Sequence, residues 1–119
     1  MQTYRDLVAW QKAMELITGV YRQSLKFPPE EIYGLTIQMR RAAVSIASNI
    51  AEGQGRVTKG EFIQFLGHAR GSLLELETQV LVAKNLQYLD EPALEILLGL
   101  TAEVGRLLNG LLSAIKKRK

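Results

Sequence analysis

The stretch Leu35–Glu61 reads LTIQMRRAAVSIASNIAEGQGRVTKGE, and its reading decides the fold. Leu35, Met39, Ala42, Ala43, Ile46 and Ile50 recur at three- and four-residue spacing, the signature of a helix with one apolar side. Gly53-Gln54-Gly55 then stops that helix, and Thr58-Lys59-Gly60-Glu61 carries the Thr-x-x-Glu pattern of a capping box that opens the next one. Two long helices joined by a tight turn form the centre of the chain.

The same logic extends outward. Upstream, Leu7, Trp10, Met14, Ile17 and Tyr21 repeat at helical spacing and predict a helix from Asp6 to Leu25 with those residues along one face. Pro28-Pro29 breaks the chain, and Glu30 and Glu31 suit the positive end of the second helix, which continues to Glu52. Downstream, the third helix runs to Leu86. Asp90-Glu91-Pro92 opens a fourth, with Asp90 as cap and a stripe of Leu94, Leu97, Leu98, Thr101, Val104, Leu108, Leu111, Leu112 and Ile115. No segment alternates as a strand would, and leucine and alanine together outnumber valine, isoleucine and threonine. Four helices on short turns predict an all-α, antiparallel, up-down-up-down four-helix bundle occupying residues 1–119 as a single domain. Leu73, Leu74 and Leu76 cannot all face one core, so some apolar helix surface is left over for other contacts.

Composition narrows function. The chain has 119 residues, 47% hydrophobic and 23% charged, a globular balance. It has no cysteine and one histidine, His68, which excludes thiolate chemistry, disulfides and any two-histidine metal centre within one chain. No uninterrupted apolar run approaches the roughly 20 residues of a membrane span, and no signal-type segment opens the chain, so a cytoplasmic protein is expected. Ser72, His68 and Glu75 share one helix face without a strained turn to present the serine, so they do not form a hydrolase triad. Glu52-Gly53-Gln54-Gly55-Arg56 lacks the Gly-Lys-Ser/Thr ending of a phosphate loop. The expected reading is no enzyme, no cofactor and no metal.

The net charge of +3 hides an asymmetry: Lys116, Lys117, Arg118 and Lys119 contribute four positive charges, and +3 less those four leaves a body of −1. With Arg56 and Lys59 in the central turn and Arg106 on the fourth helix, these residues are the candidate nucleic-acid contacts; Arg40 and Arg70 are further helical cations. An oligomer would gather one tail per subunit into a stronger field.

A second constellation is polar. Gln38, Arg41, Ser45, Asn49 and Glu52 form a stripe on the second helix, and Gln64, His68, Ser72, Glu75 and Gln79 one on the third. Antiparallel neighbours have position numbers of nearly constant sum. That register pairs Arg41 with Glu75, Ser45 with Ser72, Asn49 with His68 and Glu52 with Gln64, a predicted structural ladder with Arg41–Glu75 as its charged rung. An enzyme using Arg41, Asn49, Glu52 and Glu75 would need that cluster to line an open pocket.

Asp6-Leu-Val-Ala-Trp10-Gln-Lys, Pro29-Glu-Glu-Ile-Tyr-Gly-Leu35, the Arg41-Ala-Ala-Val-Ser45-Ile-Ala-Ser-Asn49-Ile-Ala-Glu52-Gly53 run and Ala69-Arg-Gly-Ser-Leu-Leu-Glu75 follow in order. In these the chain resembles the bacterial four-helix-bundle family associated with intervening sequences in 23S ribosomal RNA genes. The resemblance implies a homopentameric ring and kinship with the accessory proteins of diversity-generating retroelements, which bind nucleic acid and a reverse transcriptase. Arg41, Ser45, Asn49, Glu52, Gly53 and Glu75 match the family motif, and no catalytic role attaches to them. The function expected is a homo-oligomer that binds structured RNA or other nucleic acid; the alternative is a scaffold for a protein partner.

Overall fold

The computed structural model describes residues 3–118, and these form an all-α bundle of four helices measuring 49 × 24 × 22 Å. The helices are α1 (Val8–Ser24), α2 (Leu35–Gln54), α3 (Lys59–Asn85) and α4 (Glu91–Lys116). Around the bundle, α1 packs on α2 and α4, and α3 packs on the same two; among the described residues the Cα atoms of the diagonal pairs do not come within 8 Å of each other.

The helices α2, α3 and α4 each start where a side chain accepts from a first-turn amide. The Thr58 hydroxyl oxygen accepts from the Glu61 amide at 3.1 Å, and the hydroxyl donates to the Glu61 carboxylate at 2.9 Å. Asp90 accepts from the Ala93 amide at 2.9 Å, with Pro92 in the first turn of α4. The start of α2 differs from the sequence expectation. Pro29–Glu31 is a short 3-10 turn, and α2 begins only after Gly34. The cause is Glu31: its carboxylate accepts from the Leu35 amide at 3.1 Å and from the Tyr88 hydroxyl at 2.8 Å, so it caps α2 from outside the helix. Ahead of α1, Thr3 and Asp6 form a reciprocal capping box on the 3-10 turn Tyr4–Asp6.

The core is built by Leu16 and Val20 of α1, Met39, Ile46 and Ile50 of α2, Leu66, Leu76 and Val80 of α3, and Leu97, Val104 and Leu108 of α4. The expected stripes of α2 and α4 are these buried faces. On α1, Ala9, Ala13, Leu16 and Val20 face the core, while on the expected face Trp10 and Ile17 are half-buried and Met14 and Tyr21 exposed. Small alanines let α1 approach its neighbours, which leaves the larger residues on the outer edge of the seam. Leu73 and Leu76 are buried and Leu74 is 57% exposed, so α3 retains apolar surface outside the core.

Lys12 ties α1 to α4, lying 3.1 Å from Glu15 and 3.7 Å from Glu103. Its hydrogen bond to Glu15, reinforced by the Glu103 charge, holds the ammonium above the ordinary lysine pKa. α4 contains a window of mean hydropathy 1.3, long and apolar enough by length and composition to cross a membrane; here its stripe packs in the core.

Candidate nucleic-acid interface

The turn between α2 and α3 brings the cations together. Gly53 lies inside α2 and is buried; it permits α3 to come close, since a Cβ there would stand 2.8 Å from the Phe65 Cβ and 3.0 Å from the Phe62 ring. The helix ends within Gly53-Gln54-Gly55 as expected, at Gln54 with Gly55 as its C-cap, and Gly53 itself serves contact. Phe65, held at that contact, carries the Arg56 guanidinium 4.6 Å from its ring centroid. Three residues on, Lys59 reaches the far end of the sequence. Its ammonium donates to the carbonyl of Lys116 at 3.0 Å and to that of Arg118. The negative end of the α4 dipole is thus capped by a lysine from α3.

This contact seats Lys59, Lys116, Lys117 and Arg118 at one end of the bundle, all exposed, with Arg56 in the adjoining turn. Lys119 lies outside the described residues. Arg106 does not join them. It is exposed ten residues before Lys116, about 15 Å along the helix axis, and lines a separate groove with Leu7, Val8 and Leu111.

The polar ladder is reduced to one rung. The Ser45 and Ser72 hydroxyls lie 3.0 Å apart across the α2–α3 seam. Asn49 turns back on its own helix, donating to the Ser45 carbonyl at 2.8 Å and the Ser45 hydroxyl at 3.0 Å, and does not pair with His68. His68 is exposed and meets the edge of Phe65, centroids 6.0 Å apart. Arg41 and Glu75 are both exposed, and among the described residues the ion pairs are those of Lys12 alone, so the charged rung is absent. Its side chains leave the seam for water, where a Coulomb contact hardly repays the entropy of fixing them. Glu52 is likewise exposed, beside Tyr4 and Trp10 in the α1–α2 groove, and Gln64 is exposed on α3. Further along the seam Gln79 is 8% exposed, with its Oε1 unbonded.

Two features were invisible to spacing. Lys59 docks on carbonyls 57 and 59 positions away, and no local pattern announces that. Arg40 crosses to α1: its Nε donates to the Ser24 hydroxyl at 3.0 Å and its guanidinium lies 4.6 Å from the Tyr21 ring centroid. Among the described residues no group of three or more His, Cys, Asp or Glu is arranged to hold a metal.

A small four-helix bundle with a cationic end is the class of protein that this fold and surface define. The sequence profile of the 23S rRNA-intervening sequence proteins matches residues 5–110, and the chain belongs to that family. Its fold is similar to that in a 1.70 Å crystal structure of a protein of unknown function from the S23 ribosomal protein family of Bacteroides thetaiotaomicron VPI-5482. The two share 20% identity over 89% of this chain and 96% of that one, with a TM-score of 0.81. No curated protein matches the chain.

Proposed function

We propose that this protein is a non-enzymatic, cytoplasmic, homo-oligomeric bundle that binds structured RNA or another nucleic acid through its cationic end. The observation that carries the reading is the Lys59 contact, which docks the basic end of α4 beside the α2–α3 turn. Several cations on one surface are what phosphate binding requires. An antiparallel, up-down-up-down course is supported by five contacts: Ser45 with Ser72, Gly53 with Phe62 and Phe65, Lys12 with Glu103, and Gly19 with Leu97. A pentameric ring is the assembly that the family resemblance implies, and it would place five such ends in one assembly.

The test is fluorescence anisotropy against structured RNA, single-stranded RNA and duplex DNA at two salt concentrations. The variant is the full chain with Lys116, Lys117, Arg118 and Lys119 changed to Gln. Salt-steep binding that the variant weakens supports the reading; each lost phosphate contact should lower the log–log salt slope by about 0.9 for duplex and about 0.7 for single strands. Absence of binding at low salt overturns it. A scaffold for a protein partner is then the second reading. The apolar groove between α1 and α2 favours it, with Trp10, Met14, Ile17 and Val44 reaching solvent.

A further inference from the structure

Beside the C-terminal part of α1, Tyr21, Ile37, Arg40, Arg41, Val44 and Ser45 line an open hollow of about 400 Å³. That is the size of a small-molecule site. Its lining carries two guanidinium groups and no carboxylate.

The first guanidinium is fixed before any ligand arrives. Arg40 Nε donates to the Ser24 hydroxyl at 3.0 Å, and that hydroxyl donates onward to the Tyr21 carbonyl at 3.2 Å. The Tyr21 ring supports the group from one side, 4.6 Å away. Ser24 is itself 3% exposed, so the anchor is part of the packed structure. These contacts use Nε and leave the two terminal amino groups of Arg40 without an acid partner among the described residues. The second guanidinium, Arg41, is exposed and equally without one. Two consecutive arginines line this partly apolar hollow, with no acid among its lining residues. A group with two negative charges complements them, and guanidinium forks match the oxygens of a phosphate. Because Arg40 is already held, little ordering remains to be done on binding.

The geometry points to a phosphomonoester site in this hollow: Arg40 and Arg41 take the phosphate dianion, while Ile37, Val44 and the Tyr21 edge receive the planar or apolar body attached to it. The same chemistry is offered by a free mononucleotide and by the 5′-phosphorylated end of a nucleic-acid strand. The site is separate from the cationic end formed by Lys59 and the end of α4.

Calorimetric titration of the full chain with AMP and with adenosine tests the first source. Anisotropy with a 5′-phosphorylated and a 5′-hydroxyl oligonucleotide of one sequence tests the second. Arg41→Ala removes an exposed side chain and leaves the packing intact; loss of its charged hydrogen bonds should weaken the phosphate-bearing probe about ten- to a hundredfold. Ser24→Ala, which frees Arg40, should weaken it about threefold to tenfold. The variant with Gln at positions 116–119 should bind AMP as the parent does. Arg41-dependent AMP binding assigns a free nucleotide, and an Arg41-dependent preference for the phosphorylated strand without AMP binding assigns a strand end. The proposal is overturned if neither probe binds in an Arg41-dependent way, or if neutralising the tail abolishes AMP binding.

Discussion

Gly53→Ala should destabilise the bundle, although alanine is the better helix former. The added Cβ would stand 2.8 Å from the Phe65 Cβ, 3.0 Å from Phe62 Cδ1 and 3.4 Å from the Phe62 carbonyl. The nearest of these atoms is fixed to the α3 backbone and cannot swing away, so α2 and α3 must separate. Overpacking of this kind costs about 1–3 kcal/mol, and the helix propensity of alanine returns about 1 kcal/mol. The net loss is therefore up to about 2 kcal/mol. For 119 residues, an unfolding entropy of about 2.1 cal/mol/K per residue converts each kcal/mol into about 4 °C, so Tm should fall by up to about 8 °C. Gly71→Ala is the internal control, because nothing lies within 4 Å of its missing Cβ. That substitution should gain about 0.5–1 kcal/mol and raise Tm by about 2–4 °C. Thermal and urea unfolding followed by circular dichroism, at matched protein concentration, measure both. A Gly53→Ala protein stabilised as much as Gly71→Ala would refute close helix approach as the reason for glycine.

Lys59→Met should leave the global fold in place, with Tm within a few degrees, and loosen the last turn of α4. Amides of residues 113–118 should then exchange faster in hydrogen-exchange mass spectrometry. Gln79→Met removes a buried oxygen that has no partner and should stabilise by about 1 kcal/mol, read as a higher urea midpoint; a lower midpoint would reveal a partner for that oxygen. The hydrogen bond to Glu31, with burial and the carboxylate charge behind it, raises the Tyr88 hydroxyl pKa above the ordinary tyrosine value. A raised pKa in the folded state means stability present below the unfolded pKa and lost as pH rises through the folded one. Stability should therefore decline on the alkaline side, above the range where free tyrosine titrates. Tyr88→Phe should lessen that decline, as unfolding across alkaline pH will show.

What the sequence revealed was what lies close along the chain. The stops at Pro28-Pro29 and Pro92, the caps at Thr58 and Asp90, and the inner faces of α2 and α4 all depend on spacing of four residues or fewer, so periodicity found them. The α2–α3 register could be read because a short turn fixes it, and it placed Ser45 opposite Ser72. On α1 periodicity found the face of bulky residues and missed that the alanines beside it, Ala9 and Ala13, turn to the core. The late start of α2 depends on Tyr88, 57 positions beyond Glu31. The basic end was legible as composition, but its assembly depends on Lys59 meeting carbonyls remote in sequence. Counting paired Arg41 with Glu75, yet it says nothing about whether exposed side chains prefer each other to water.

Each helix of this bundle leans closely on two others and stands back from the one across from it. Mechanically that is a closed loop of four joints. Opening one joint leaves a chain of three, still continuous, whereas removing a helix cuts two joints at once. α1 illustrates the case: if it peels away, the α2–α3 and α3–α4 joints persist untouched, and the hydroxyl contact of Ser45 with Ser72 and the clasp of Lys59 on α4 both lie on them. Partial opening at α1 therefore leaves the cationic end assembled, while opening of the α3–α4 joint dismantles it.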